Sequence, residues 1–265
     1  MNRSITLGQY LPGESPVHRI NPRIKILVLL TLLILLFSIR TYGGLGAMFL
    51  AAVGLYAVAG IPVRYFLRGL KPVVWISVFA LVIYLFFTSG GVVLLRIGPV
   101  TVESAGLQQG FFIVIRLFIL VLFSLLVTLT TTPLALTGGM SSFLKPLRVF
   151  GLPTDEVAMI MAVALRFIPT LMEESQRLMR AQLARGADFE TGSLFRKAKN
   201  MVPLIVPLFV SAFRRADELA LAMEARGFRI GARRTSLHED IITAGDWTVL
   251  ALVLAMLAAA LVLGL

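Results

Sequence analysis

Two stretches of this chain finish alike. Residues 181–189 read AQLARGADF and residues 222–228 read AMEARGF, so Ala184-Arg185-Gly186 returns 41 positions later as Ala225-Arg226-Gly227. Each residue type suits a helix tip built for contact. Alanine keeps the tip slim. Glycine accepts the left-handed conformation that ends a helix. Arginine offers a planar donor fork to carboxylates or backbone carbonyls. Either arginine alone is explained by a cation complementing the helix dipole in the last turn. The pair, on two arms that both follow prolines, points to two like sockets on partners.

Other residues that could do chemistry are few. Arg116 lies inside a long apolar run, with Gln109 seven residues earlier on the same face. An ionisable group at such depth marks a functional site, or else a structural pair or carbonyl ligand inside the bundle. The paired carboxylates Asp155-Glu156, Glu173-Glu174, Asp217-Glu218 and Glu239-Asp240 have no histidine at metal-ligand or acid–base spacing. His18 and His238 are the two histidines, and cysteine is absent, which excludes disulfides and thiolate catalysis. No metal site or other cofactor is implied. There is no G-x-x-x-x-G-K-[ST] loop, so the energy for any work comes from a partner or a gradient. The H-E-x-x-H, D-D-x-x-D and G-x-S-x-G motifs of membrane-embedded enzymes are also absent.

These residues must be positioned by an apolar chain. Of 265 residues 58% are hydrophobic and the mean hydropathy is +0.89, which makes membrane lipid the solvent. Five spans are expected, at 24–39, 43–61, 73–91, 106–129 and 247–265. Arg3, Arg19, Arg23 and Lys25 precede the first span, and Arg64, Arg68 and Lys71 lie between the second and third. The alternate loops hold little more than Arg40 and Arg96, so the N-terminus is expected in the cytoplasm. The reading is an all-α integral membrane protein with a membrane domain at 1–132, a cytoplasmic coupling region at 133–245 and a C-terminal span at 246–265.

The coupling region holds fifteen of the 25 Lys/Arg and eleven of the 14 Asp/Glu between 140 and 240. That mixture is no basic tail, and the net charge of +11 carries no nucleic-acid reading. A helix is expected to start with Thr154 as cap and to kink or break at Pro169. Leu171, Met172, Leu178, Met179 and Leu183 give its continuation an apolar stripe. In the second arm MVPLIVPLF (201–209), with Pro203 and Pro207, suits a membrane-surface or re-entrant segment. Phe209, Phe213, Ala216, Ala220 and Met223 then follow at heptad-like spacing. Ala212, Ala216 and Ala220 leave room for another helix to approach closely.

The segments SPVHRINPRIK (15–25), PLRVFGLPTDEVAMIM (146–161), ALRFIPTLMEESQRLMRAQLARG (164–186) and PLFVSAFRRADELALAMEARGF (207–228) resemble, in order and spacing, the transmembrane T component (EcfT) of energy-coupling factor transporters. The resemblance covers nearly the whole chain and implies a non-catalytic subunit of an ABC importer for vitamins or transition-metal ions in the prokaryotic plasma membrane. It further implies that Ala184-Arg185-Gly186 and Ala225-Arg226-Gly227 end coupling helices that dock on two ABC-type ATPase subunits. A substrate-binding S component would sit against the membrane helices and arms, and Arg116 is a candidate contact for it. The alternative is a self-sufficient secondary transporter, for which Arg116 is the one strong internal charge.

Overall fold

The computed structural model describes residues 10–97, 100–144, 151, 153–189, 191, 193–229, 231 and 242–263. His238 and the Glu239-Asp240 pair lie outside the described residues. In order the elements are α1 (Pro16–Arg19), α2 (Pro22–Ser38), α3 (Tyr42–Ala59), α4 (Val63–Phe87), β1 (Val93–Ile97), β2 (Val100–Glu103), α5 (Ser104–Thr130), α6 (Pro133–Leu144), α7 (Thr154–Ala184), α8 (Leu194–Ala225) and α9 (Ala244–Leu263). They divide into two compact units, Met1–Met140 with Glu239–Leu265, and Ser141–His238.

The first unit is a helix bundle around Leu35 and Leu36 of α2, Leu45 and Met48 of α3, and Ile119, Leu122 and Phe123 of α5. Four of the five expected spans appear as helices long and apolar enough to cross a membrane: α3, α4, α5 and α9. The expected first span forms α2, which has 17 residues. At about 1.5 Å per residue that is roughly 25 Å, short of a hydrocarbon core of about 30 Å. Pro22 at the first position and Asn21, whose side chain accepts from the Arg23 N–H at 3.0 Å, start α2 as a proline-led helix should. Thr41 caps α3, its hydroxyl accepting from the Gly44 N–H at 3.2 Å. The linker between the third and fourth spans contains an antiparallel hairpin of β1 and β2.

Helices α4 and α5 pack through small residues. Gly106 and Gly110 form a G-x-x-x-G pair on α5, and both are buried. A Cβ added to Gly106 would lie 2.7 Å from the Tyr84 carbonyl oxygen, and one on Gly110 would lie 2.7 Å from Leu81. With no side chain at either position the two backbones approach closely, which is how helices gain contact in lipid.

The second unit is built on α7 and α8, of 31 and 32 residues. The expected break at Pro169 does not occur, and α7 continues through it. Residues 201–209 belong to the same continuous helix as the rest of the second arm, α8. Pro203 and Pro207 lie inside α8. All three prolines are exposed. A ring on the outer face removes one helix hydrogen bond, but the carbonyl it frees faces the surroundings, where a polar partner can reach it. The start of α7 also differs from expectation. Pro153 is the cap residue and Thr154 is the first helical residue, its hydroxyl buried with no partner among the described residues.

Three contacts define how the two arms run. The Gly231 N–H donates to Glu156 Oε1 at 2.9 Å, Arg215 pairs with Glu174 at 3.1 Å, and Asn200 Nδ2 donates to the Asp188 carbonyl at 2.6 Å. As positions rise along α7 they fall along α8, so the pair is an antiparallel hairpin. Val163, Phe167 and Leu171 of α7 face Ala212, Ala216, Ala220 and Met223 of α8 across a groove of about 770 Å³. The alanines thus lie where a thin seam was expected, while Phe209 and Phe213 at its other end are exposed.

Candidate functional site

The two Ala-Arg-Gly ends share one geometry. On α7 the Gly186 N–H donates to the Leu183 carbonyl at 3.0 Å and the Ala187 N–H to the Gln182 carbonyl at 3.0 Å. On α8 the Gly227 N–H donates to Glu224 at 2.9 Å and the Phe228 N–H to Met223 at 3.0 Å. Each is a complete Schellman closure, with the glycine at φ 85° or 74° in the left-handed region. Arg185 and Arg226 occupy the same cap position, the last residue before the chain turns away. Both are exposed, and neither guanidinium bonds to another described residue. The closure consumes the free carbonyls beneath each arginine, so its donor fork is left for an outside acceptor.

The tips stand at opposite ends of the hairpin. From Glu174 to Arg185 is eleven residues, and from Arg215 to Arg226 is eleven residues. Each tip therefore lies about 16 Å along its helix from the ion pair, in opposite directions, and the two are roughly 33 Å apart measured along the hairpin. Glu174 and Arg215 are themselves 41 positions apart, the offset of the repeat. Residues equivalent by repeat touch each other here, so the arms are related by a local two-fold axis through this pair. Glu174 and Arg215 are 23% and 35% exposed in their side chains. Reversing Glu174 to Arg is expected to cost about 1 kcal/mol, the upper end for a partly solvated pair. The double exchange, Glu174→Arg with Arg215→Glu, should recover most of it in the thermal unfolding of the purified protein.

Within the first unit the structure gives Arg116 a defined partner. Its Nη2 donates to the Ile39 carbonyl at 2.5 Å, and its guanidinium lies over the rings of Phe112 at 4.8 Å and Phe37 at 5.6 Å. Ile39 is the C-cap of α2, so Arg116 supplies a cation where that helix exposes its negative end. Lys25 of α2 does the same for α5. Its ammonium donates to the carbonyl of Thr130, the last residue of α5, at 2.9 Å, to the Thr131 hydroxyl at 3.0 Å and to the His18 carbonyl at 3.3 Å. Lys25 to Ile39 is fourteen residues and Arg116 to Thr130 is fourteen residues, about 21 Å or four turns. The antiparallel helices α2 and α5 thus exchange cations, each capping the C-terminus of the other. Sequence reasoning singled out Arg116 and missed Lys25, which looks like one more basic residue of the leader. Gln109 is exposed and takes no part.

His18 is held by its own loop: the ring bonds the Ser15 hydroxyl at 2.7 Å and the Leu11 carbonyl at 3.1 Å. Asp246 ties the start of α9 to the start of α2, accepting from the Asn21 N–H at 3.0 Å and the Thr243 N–H at 2.8 Å.

Sequence comparison connects these features to known proteins. Residues 13–237 match the CbiQ family model, described as "Cobalt transport protein". The chain is 49% identical over 246 residues, 92% of each chain, to the "Energy-coupling factor transporter transmembrane protein EcfT" of Thermosediminibacter oceani. It is 43% identical over 253 residues, 94% of each chain, to that of Bacillus subtilis, and 47% identical over 251 residues, 93% of each, to that of Brevibacillus brevis. With the matched arms, a multi-pass bundle and similarity of that extent, this chain belongs to the EcfT family, the transmembrane components of energy-coupling factor transporters.

Proposed function

We propose that this chain couples ATP hydrolysis by two ABC-type ATPase subunits to import through a substrate-binding S component, and that Arg185 and Arg226 are the two docking points. The observation that carries this is the pair of identical, exposed, Schellman-closed tips related by a local two-fold axis. Two ATPase subunits that close on each other offer two similar sockets about an axis, and a two-fold pair of tips is the shape that fits them. The second unit then lies in the cytoplasm, where ATP is, as the loop charges favour. The work asked of this chain is mechanical, and the ATPase chemistry resides in the partners.

The S component is accommodated by apolar surface on the arms. Phe209, Phe213 and Leu221 of α8 are each at least 60% exposed, more than a polar solvent would favour in one region. The cargo is a vitamin or a transition-metal ion, selected outside this chain. Arg116 is engaged by the α2 terminus, which weighs against the ion site a self-sufficient transporter would need.

Because the chain has no cysteine, single cysteines report contacts cleanly. Ala184→Cys and Ala225→Cys, carried on the whole importer, are expected to cross-link to an ATPase subunit each, and Leu50→Cys on α3 to neither. A transporting assembly in which neither tip links to an ATPase would overturn the proposal.

A further inference from the structure

We propose that the membrane unit holds one phospholipid by an acyl chain seated between α2, α3, α5 and α9. A partly open cavity of about 430 Å³ lies among these helices. Its wall is hydrocarbon, with Leu32, Leu55, Phe123, Val127, Leu252 and Met256 among its members. Lys25 and Thr130 are the wall residues with polar side chains, and both are already satisfied. Lys25 bonds Thr130, Thr131 and His18 as described, and the Thr130 hydroxyl donates to the Leu126 carbonyl at 2.8 Å. A water molecule needs two to four polar partners and would find none free. The cavity therefore calls for an apolar occupant.

Its position says which. The lining helices include three long and apolar enough to cross a membrane, so the surrounding solvent is lipid hydrocarbon. Cavities of about 150 Å³ accept benzene, a six-carbon ligand; nearly three times that volume suits a chain on the order of sixteen to eighteen carbons. Part of the room comes from Gly54, where an added Cβ would meet nothing within 4 Å. Lys25, Thr130 and Val249 mark one end of the cavity, and Trp247, exposed at the start of α9, stands at that end as an interfacial anchor. The headgroup lies there and the chain runs inward toward Leu32 and Met256.

The test fills the cavity. Gly54→Leu places a side chain in it. Gly46→Leu, on the same helix, adds equal bulk where a Cβ also meets nothing within 4 Å, at a residue that does not line this cavity. In native mass spectra of the complete importer in mild detergent, the unaltered protein and Gly46→Leu should carry a bound phospholipid, and Gly54→Leu should carry about tenfold less. In vesicles of phosphatidylethanolamine and phosphatidylglycerol, a phospholipid with a photoreactive acyl chain should label Val253 or Met256. Equal retention by both variants, no retained lipid in the unaltered protein, or protection of Val253 and Met256 by a partner's segment instead of lipid would each overturn the proposal.

Discussion

Arg185→Glu combined with Arg226→Glu should abolish ATP-driven uptake, lowering it by about 100-fold or more, while the chain still folds and reaches the membrane. Both side chains are exposed and bond to no described residue, so their removal disturbs nothing within the arms. Truncating one member of a buried charge pair at an interface costs about 2–5 kcal/mol, and reversing its charge adds repulsion. A loss of about 2.8 kcal/mol at one socket already corresponds to a hundredfold in affinity. Single variants should keep part of the activity, because the other tip still docks. The measurement is substrate uptake in cells or vesicles, alongside recovery of the ATPases with the membrane chain. Full uptake and normal recovery from the double variant would show that the tips are not the docking points.

Lys25→Met should destabilise the membrane unit by about 3–5 kcal/mol, the range for breaking a buried charge network by removing one partner. Lys25 is 5% exposed and is the cation of a knot that closes α5, the leader and, through the nearby charge of Asp246, the start of α9. Methionine keeps the length but leaves the Thr130 carbonyl and the Thr131 hydroxyl without their donor. Lys25→Arg should be milder, since it keeps the charge while changing its shape. Thermal unfolding in detergent reads the effect directly. An unchanged midpoint for Lys25→Met would mean that the knot adds nothing to stability.

What could be seen in the sequence follows the range of the forces involved. The tips were legible because a Schellman closure is local: glycine supplies the positive φ and the preceding turn supplies the carbonyls. Long apolar runs such as 106–129 were legible because lipid demands their length. So was the end of α2, since the apolar run was read to 39 and the helix ends at Ser38 with Ile39 as its cap. What meets that end was not legible: Arg116, seventy-seven residues away, donates to the Ile39 carbonyl. Nor was the continuity of α7 through Pro169. Proline carries an intrinsic cost for a helix, and the packing of a partner arm that holds the helix together is not written near residue 169. The hairpin of β1 and β2 was hidden for a third reason. Two strands of four or five residues are too short to show alternation above chance.

The ion pair at the centre of the arms also constrains how such a chain could have arisen. Where a symmetry axis crosses a structure, a residue confronts its own counterpart. Two copies of one ancestral arm would have brought glutamate against glutamate, or arginine against arginine, and pushed each other apart. A single polypeptide lets Glu174 and Arg215 carry opposite signs where they meet while Arg185 and Arg226 stay alike. One continuous lever can in this way keep two equal handles while the residues that face each other between them differ.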